Sequence, residues 1–313
     1  MKIKTIFIVI IVFLAAGREI KSQSVFKTVE SGFYGVVAPS FVEGVNCYGG
    51  NPANLNFDEK EIGVQFVSWI GDMYQVTGQY AMPAFSNDKV KVESSVNVGY
   101  LYSGEIELRD SNASLLDSVN YGQSLISLVN SIDLKSIIVG ISFNYLTADF
   151  NDVYDSNMTF DFGVNYAFEF SDNIEFILGA AINNIMADNN NYITPKHVDN
   201  SLGLIYYSDE DESVMGIGMG YMSVREMNKI GISGFYENYV GFSDKMKFKL
   251  RIVGSYGGYV GESISLIKVD DTDIISRLKL GLIFDFGLFK IVYGYSNLGI
   301  AGSINNVAVN FNI

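Results

Sequence analysis

Along most of this chain, large apolar residues occupy every second position. Between Met158 and Ser171 one set is Met158, Phe160, Phe162, Val164, Tyr166, Phe168 and Phe170. The set between them is small or polar and includes Asp161, Asn165 and Glu169. A period of two places the sets on opposite faces of a strand. Sandwich strands usually stop near five or six residues, whereas a tilted strand crossing a bilayer needs about 9–11. A run this long, greasy on one face and polar on the other, predicts a transmembrane barrel rather than a soluble all-β protein. Asp161, Asn165 and Glu169 then face the lumen.

The same alternation recurs in Val90–Tyr102, Ile137–Tyr145, Leu278–Phe286, Phe289–Tyr295 and Val307–Ile313. Read throughout, it predicts strands over 61–69, 73–82, 90–103, 120–131, 136–146, 157–170, 174–184, 198–208, 212–223, 228–238, 246–258, 274–285, 288–296 and 304–313. The expected architecture is an all-β, antiparallel barrel of about 14 strands, an even number as single-chain bacterial barrels have. Glu262 to Val269 alternates weakly and is assigned to a loop. The connections sort into short turns on one side and mostly longer loops on the other, including 104–119, 147–156, 185–197 and 259–273. Outer-membrane barrels have short periplasmic turns and long external loops, so both barrel termini are expected in the periplasm.

The first residues read as an export signal. Lys2 and Lys4 precede an apolar run, Thr5 to Gly17, that is too short to span a membrane as a helix. Cleavage is expected near Ser22, with Gly17 as the alternative. The domain plan is therefore a signal peptide over 1–22, an N-terminal segment over 23–60, and a barrel over 61–313. The expected location is the bacterial outer membrane, with its lipid as the first partner.

Charge and chemistry exclude more than they select. The net charge is −14. Removing residues 1–22 takes away Lys2, Lys4, Arg18 and Lys21 against Glu19, a loss of +3, and leaves −17. Such acidity argues against nucleic acid as a partner. Cys47 is the only cysteine and His197 the only histidine. No nucleophile–base constellation emerges, so no catalytic residue, enzyme activity or cofactor is expected. The acidic runs Asp209–Glu212 and Asp270–Asp273 lack the spacing of a calcium loop and read as solvated turns, so no metal is expected either.

The N-terminal segment does not alternate. Its centre is Gly49-Gly50-Asn51-Pro52-Ala53-Asn54-Leu55, a tightly shaped turn. These residues resemble the Asn-Pro-Ala-x-Leu signature of PorV/PorQ-like outer-membrane proteins, which are similar to the wider FadL-like barrels. Phe160–Tyr166, Leu178–Asn184, Leu202–Tyr207 and Leu280–Phe284 resemble family strands in the same order, and the resemblance spans the mature chain. It implies that residues 23–60 fold into the lumen as a plug, with Gly50, Asn51, Pro52, Ala53 and Leu55 as its motif. It also implies transport or an accessory role in type IX secretion, with secreted cargo or secretion-system proteins as partners. A FadL-like uptake channel for hydrophobic molecules and a structural or adhesive barrel are the alternatives.

Overall fold

A computed structural model of the chain describes residues 50–55, 57, 59–68, 73–109, 115–150, 153–185, 197–208, 212–224, 227–243, 246–260, 278–297 and 303–313. Within them lie fourteen strands: β1 Glu61–Ser68, β2 Tyr74–Ser86, β3 Lys91–Arg109, β4 Leu115–Asp133, β5 Ile137–Phe150, β6 Val153–Ser171, β7 Ile174–Ile185, β8 His197–Tyr207, β9 Val214–Val224, β10 Met227–Ser243, β11 Met246–Val260, β12 Leu278–Asp285, β13 Phe289–Asn297 and β14 Ser303–Asn312. Each pairs antiparallel with its chain neighbours, and β14 pairs with β1 to close the barrel. Closure removes every sheet edge, the condition for a sheet to sit in lipid.

The faces are inverted relative to a soluble protein. On β1 the apolar Ile62, Val64 and Phe66 are exposed, while Glu61 and Gln65 are buried. On β6 Met158 and Phe162 are exposed, while Thr159, Asp161 and Asn165 are buried. Only an apolar surrounding makes that arrangement favourable, because lipid accepts the greasy face and the interior supplies hydrogen bonds to the polar one.

All fourteen expected strands are present, and several run further than the alternation does. Residues 105–109 and 115–119, expected in a loop, extend β3 and β4 as a paired ladder from Glu105↔Asn120 to Arg109↔Leu115. Residues 147–150 and 153–156 likewise extend β5 and β6. The β3–β4 ladder slips between Tyr102 and Glu105, with Gly104 at φ 65°, and pairing resumes beyond that break in the regular period. The reading by hydrophobic period therefore stops too early at this end.

Connections at the other end are short and internally bonded. Asn87, Leu134 and Phe286 donate backbone N–H groups to Val90, Ile137 and Phe289. Asn87 and Asp133 side chains accept from the next turn residues. Gly287 turns at φ +82°. At this same end the N–H of Ile313 donates to the Lys60 carbonyl at 2.8 Å, tying the chain end to the entry into β1.

Residues 1–22, expected as a signal peptide, most of the 23–60 segment, Cys47, the Glu262–Val269 stretch and residues 270–273 lie outside the described residues, as do the side chain of His197 and residues 209–211.

Candidate lumenal site

Residues 50–55 and 57 of the N-terminal segment lie inside the barrel, while Glu59 and Lys60 are exposed. Pro52–Asn54 forms one 3₁₀ turn, and Asn51 caps it by accepting the Ala53 N–H at 2.9 Å. Asn is suited to this because its short side chain reaches its own backbone two residues on. Pro52 presets the first φ of the turn. Residues 50–55 and Phe57 are all buried where described.

The turn rests on the inner wall formed by β5, β6 and β7. Asn51 donates from Nδ2 to Asn165 Oδ1 at 2.8 Å, 114 residues along the chain. Asn165 donates back to the Ala53 carbonyl at 3.2 Å and to the Asn54 side-chain oxygen. The two asparagines thus clasp the turn from both sides. Three glycines make this approach feasible. A methyl on Gly140 would meet the backbone of Pro52 and Ala53, and one on Gly163 would lie 2.9 Å from Asn51 Cγ and Pro52 Cδ. A methyl on Gly179 would meet Asn165 Oδ1 at 2.8 Å. Gly140 pairs directly with Gly163, and Asn165 with Gly179. The register thus assembles a glycine-floored recess with Asn165 at its edge.

A second fastening lies near the turn end. Glu93, 1% exposed, accepts the Phe57 N–H, receives the Ser131 hydroxyl at 3.1 Å and pairs with Lys91 at 3.0 Å. A buried carboxylate is sustained by this many donors and a cation. Glu93 belongs to no sequence motif. Its odd phase among Lys91, Ser95 and Asn97 placed it on the polar face, but nothing local shows which backbone it meets.

Asp161 is lumenal and serves the wall itself. It accepts from Ser142, from Asn144 at 3.0 Å and from the Asn184 N–H at 2.8 Å. Asn184 has φ 57°, where the β6–β7 ladder slips between Phe160 and Phe162. Asp161 therefore holds an irregular stretch in place. Glu169, expected on the lumen wall, is exposed beside the 172–173 turn, where the ladder slips again between Glu169 and Ser171. It belongs to the rim because the strand outlasts the enclosed space.

The rest of the lining is mixed. Ala81, Val129, Ile205, Met222, Phe235, Val253, Val292 and Ala308 face inward and join Leu55 and Phe57 in one apolar cluster. The Phe235 ring covers Gly216, with the Arg251 guanidinium 4.7 Å above it. Arg251 pairs with Glu237 at 2.8 Å, and Lys290 with Glu61 at 3.4 Å. Among the described residues, no group of three or more His, Cys, Asp or Glu side chains is placed to hold a metal.

No family model matches the chain, and no curated protein is similar to it in sequence. Solved structures are similar in fold. The toluene transporter TodX of Pseudomonas putida aligns with a TM-score of 0.56 at 11% identity, over 94% of this chain and 99% of that one. The TodX deltaS2S3 mutant, a monoaromatic hydrocarbon channel, aligns with a TM-score of 0.60 at 14% identity, over 86% and 95%. At such identities the likeness establishes the fold alone, a closed antiparallel barrel of fourteen strands.

Proposed function

We propose that this chain is an outer-membrane channel that passes small hydrophobic molecules through a lumen narrowed by its N-terminal segment. The observation that carries this reading is the apolar lining. Porin interiors are polar because water fills them. Here Ile205, Met222, Phe235, Val253 and Val292 face inward and meet Leu55 and Phe57 of the segment. Apolar walls with a few placed polar groups suit a ligand leaving water, as in small-molecule sites generally. The fold shared with a toluene transporter supports the same reading.

The test is uptake across an intact outer membrane. Expression of the chain in a host carrying a cytoplasmic toluene-responsive reporter should speed the response at low external toluene. A response equal to that of a host without the chain would reject the channel.

The PorV/PorQ-like reading, an accessory to type IX secretion, draws on the Asn51-Pro52-Ala53-Asn54-Leu55 motif and the order of the strand motifs. It predicts a different phenotype. Deleting the gene in its own host would then strip secreted proteins from the cell surface and leave hydrocarbon uptake unchanged.

A further inference from the structure

We infer that the wall formed by β13, β14, β1 and β2 carries a polar docking track, and that the transported molecule is an amphiphile with a neutral donor–acceptor headgroup rather than a bare hydrocarbon. The inference rests on the channel reading and narrows its substrate. Its basis is a set of amides that fold burial leaves unused. Asn306 and Asn310 on β14 are 2% and 1% exposed, and neither the nitrogen nor the oxygen of either amide has a hydrogen-bond partner. Gln79 on β2 is 5% exposed, and its Nε2 is also without a partner. Buried polar groups are nearly always paired, and each exception calls for a cause. Single atoms of Gln123 on β4 and Asn183 on β7 are exceptions too, but among the described residues only Asn306 and Asn310 leave a whole amide without a partner, and both lie on β14.

The register shows that Asn306, Asn310 and Gln79 share one stretch of wall and face inward. Asn310 and Gln79 both pair with Gly63, so they lie two strand spacings apart, about 10 Å. Asn306 and Asn310 share a face of β14 about 13 Å apart, with Ala308 between them. Each asparagine lies next to a glycine, Asn306 beside Gly294 and Asn310 beside Gly63. Glycine leaves the wall without a side chain at those points. Beyond Gly294 the same row continues through Gly281 to Val253 and then Phe235, the apolar lining. A polar head on Asn306 therefore places an apolar body over glycines and against Val253 and Phe235.

The topology adds a second reason. The Asn-Pro-Ala turn is clasped to β5–β7. In the ring, β14 lies six steps from β6 one way and eight the other, which is close to diametrically opposite. The turn's own hydrogen bonds are satisfied on its seat, and the far wall keeps its amides for another partner. An amide with both a free donor and a free acceptor matches a group that also does both, such as a hydroxyl, a carboxamide or an un-ionised carboxylic acid. A carboxylate, acceptor only, would leave the amide oxygens unmet.

The test compares benzyl alcohol with toluene, which share a ring and differ by the hydroxymethyl group. Radiolabelled probe binding is measured on the full chain in lipid nanodiscs, with empty nanodiscs subtracted. In Asn306→Leu and Asn310→Leu the ratio of benzyl alcohol to toluene affinity should fall about tenfold, with toluene binding kept or improved. Both variants remove an unpaired buried amide and should stay folded by heat-modifiable gel mobility. Asn306→Ser, which keeps a donor and an acceptor, should retain most of the ratio. An unchanged ratio in both leucine variants, with toluene still bound, would overturn the docking track and leave the channel standing. Retention of neither probe by the wild-type chain would overturn the channel reading and this inference with it.

Discussion

Gly140→Ala isolates the seat of the Asn-Pro-Ala turn from the rest of the barrel. The added methyl meets the carbonyl carbon and oxygen of Pro52 and the nitrogen of Ala53. All three are backbone atoms, so no side-chain rotation relieves the clash and the turn must lift. Lifting breaks the bond from Asn51 to Asn165 and the two from Asn165 to Ala53 and Asn54. At about 1 kcal/mol net each, the seat loses about 3 kcal/mol. That is roughly two powers of ten in the ratio of seated to lifted turn. The β5 ladder is untouched, because the methyl points into the lumen and alanine is no worse than glycine in a strand. Single-channel recording in planar bilayers should show a closed or small wild-type conductance and frequent larger openings in Gly140→Ala. Gly78→Ala, where an added methyl meets nothing within 4 Å, is the matched control. Identical traces for wild type, Gly140→Ala and Gly78→Ala would refute the idea that the seated turn closes the pore.

Other expectations follow from the same geometry. Deleting Ser24 to Phe57 should give an assembled barrel whose conductance sets the upper limit for Gly140→Ala; no rise would mean that the segment does not fill the lumen. Glu93→Ala removes the acceptor of the Phe57 N–H and the partner of Lys91, at a cost of about 1–3 kcal/mol. Protease added to membrane vesicles should then cut the segment faster in Glu93→Ala than in Glu93→Gln, and equal rates in both and in wild type would remove Glu93 from the fastening. Phe162→Arg, on the exposed face of β6, should destabilise the barrel by about 2–4 kcal/mol near the bilayer midplane, read from urea titration of gel mobility. A harmless arginine there would mean that this face does not meet lipid.

The barrel was legible because its signal is local. Phe160, Phe162 and Val164 declare a lipid face within a few residues, and turn residues such as Asn87 and Gly287 mark where strands end. Strand length was less legible, since the irregularity at Gly104 breaks the period of β3 and the ladder resumes from Glu105 to Arg109. The site was legible only in halves. Asn51-Pro52-Ala53 stood out as a shaped turn, and Asn165 as a polar position on an apolar strand. Their contact depends on how β5, β6 and β7 slide against one another. That register brings Gly140 opposite Gly163, and nothing within either strand announces it. The same holds for Asn306 and Asn310, which read as ordinary polar positions until the register places glycines beside them.

The pairing of β1 with β14 has a consequence for how the molecule comes into being. Glu61 meets Asn312 and Ser68 meets Asn305, so the closing ladder joins residues at opposite ends of the sequence. Contacts so distant are the slowest to form, because the loop entropy is lost before the contact returns any stability. Thirteen strands can associate in sequence, yet the product keeps two open edges until β14 arrives. A chain without β14 would keep those edges as templates for aggregation. β14 is thus a checkpoint of assembly as well as a piece of wall: without it the barrel cannot close.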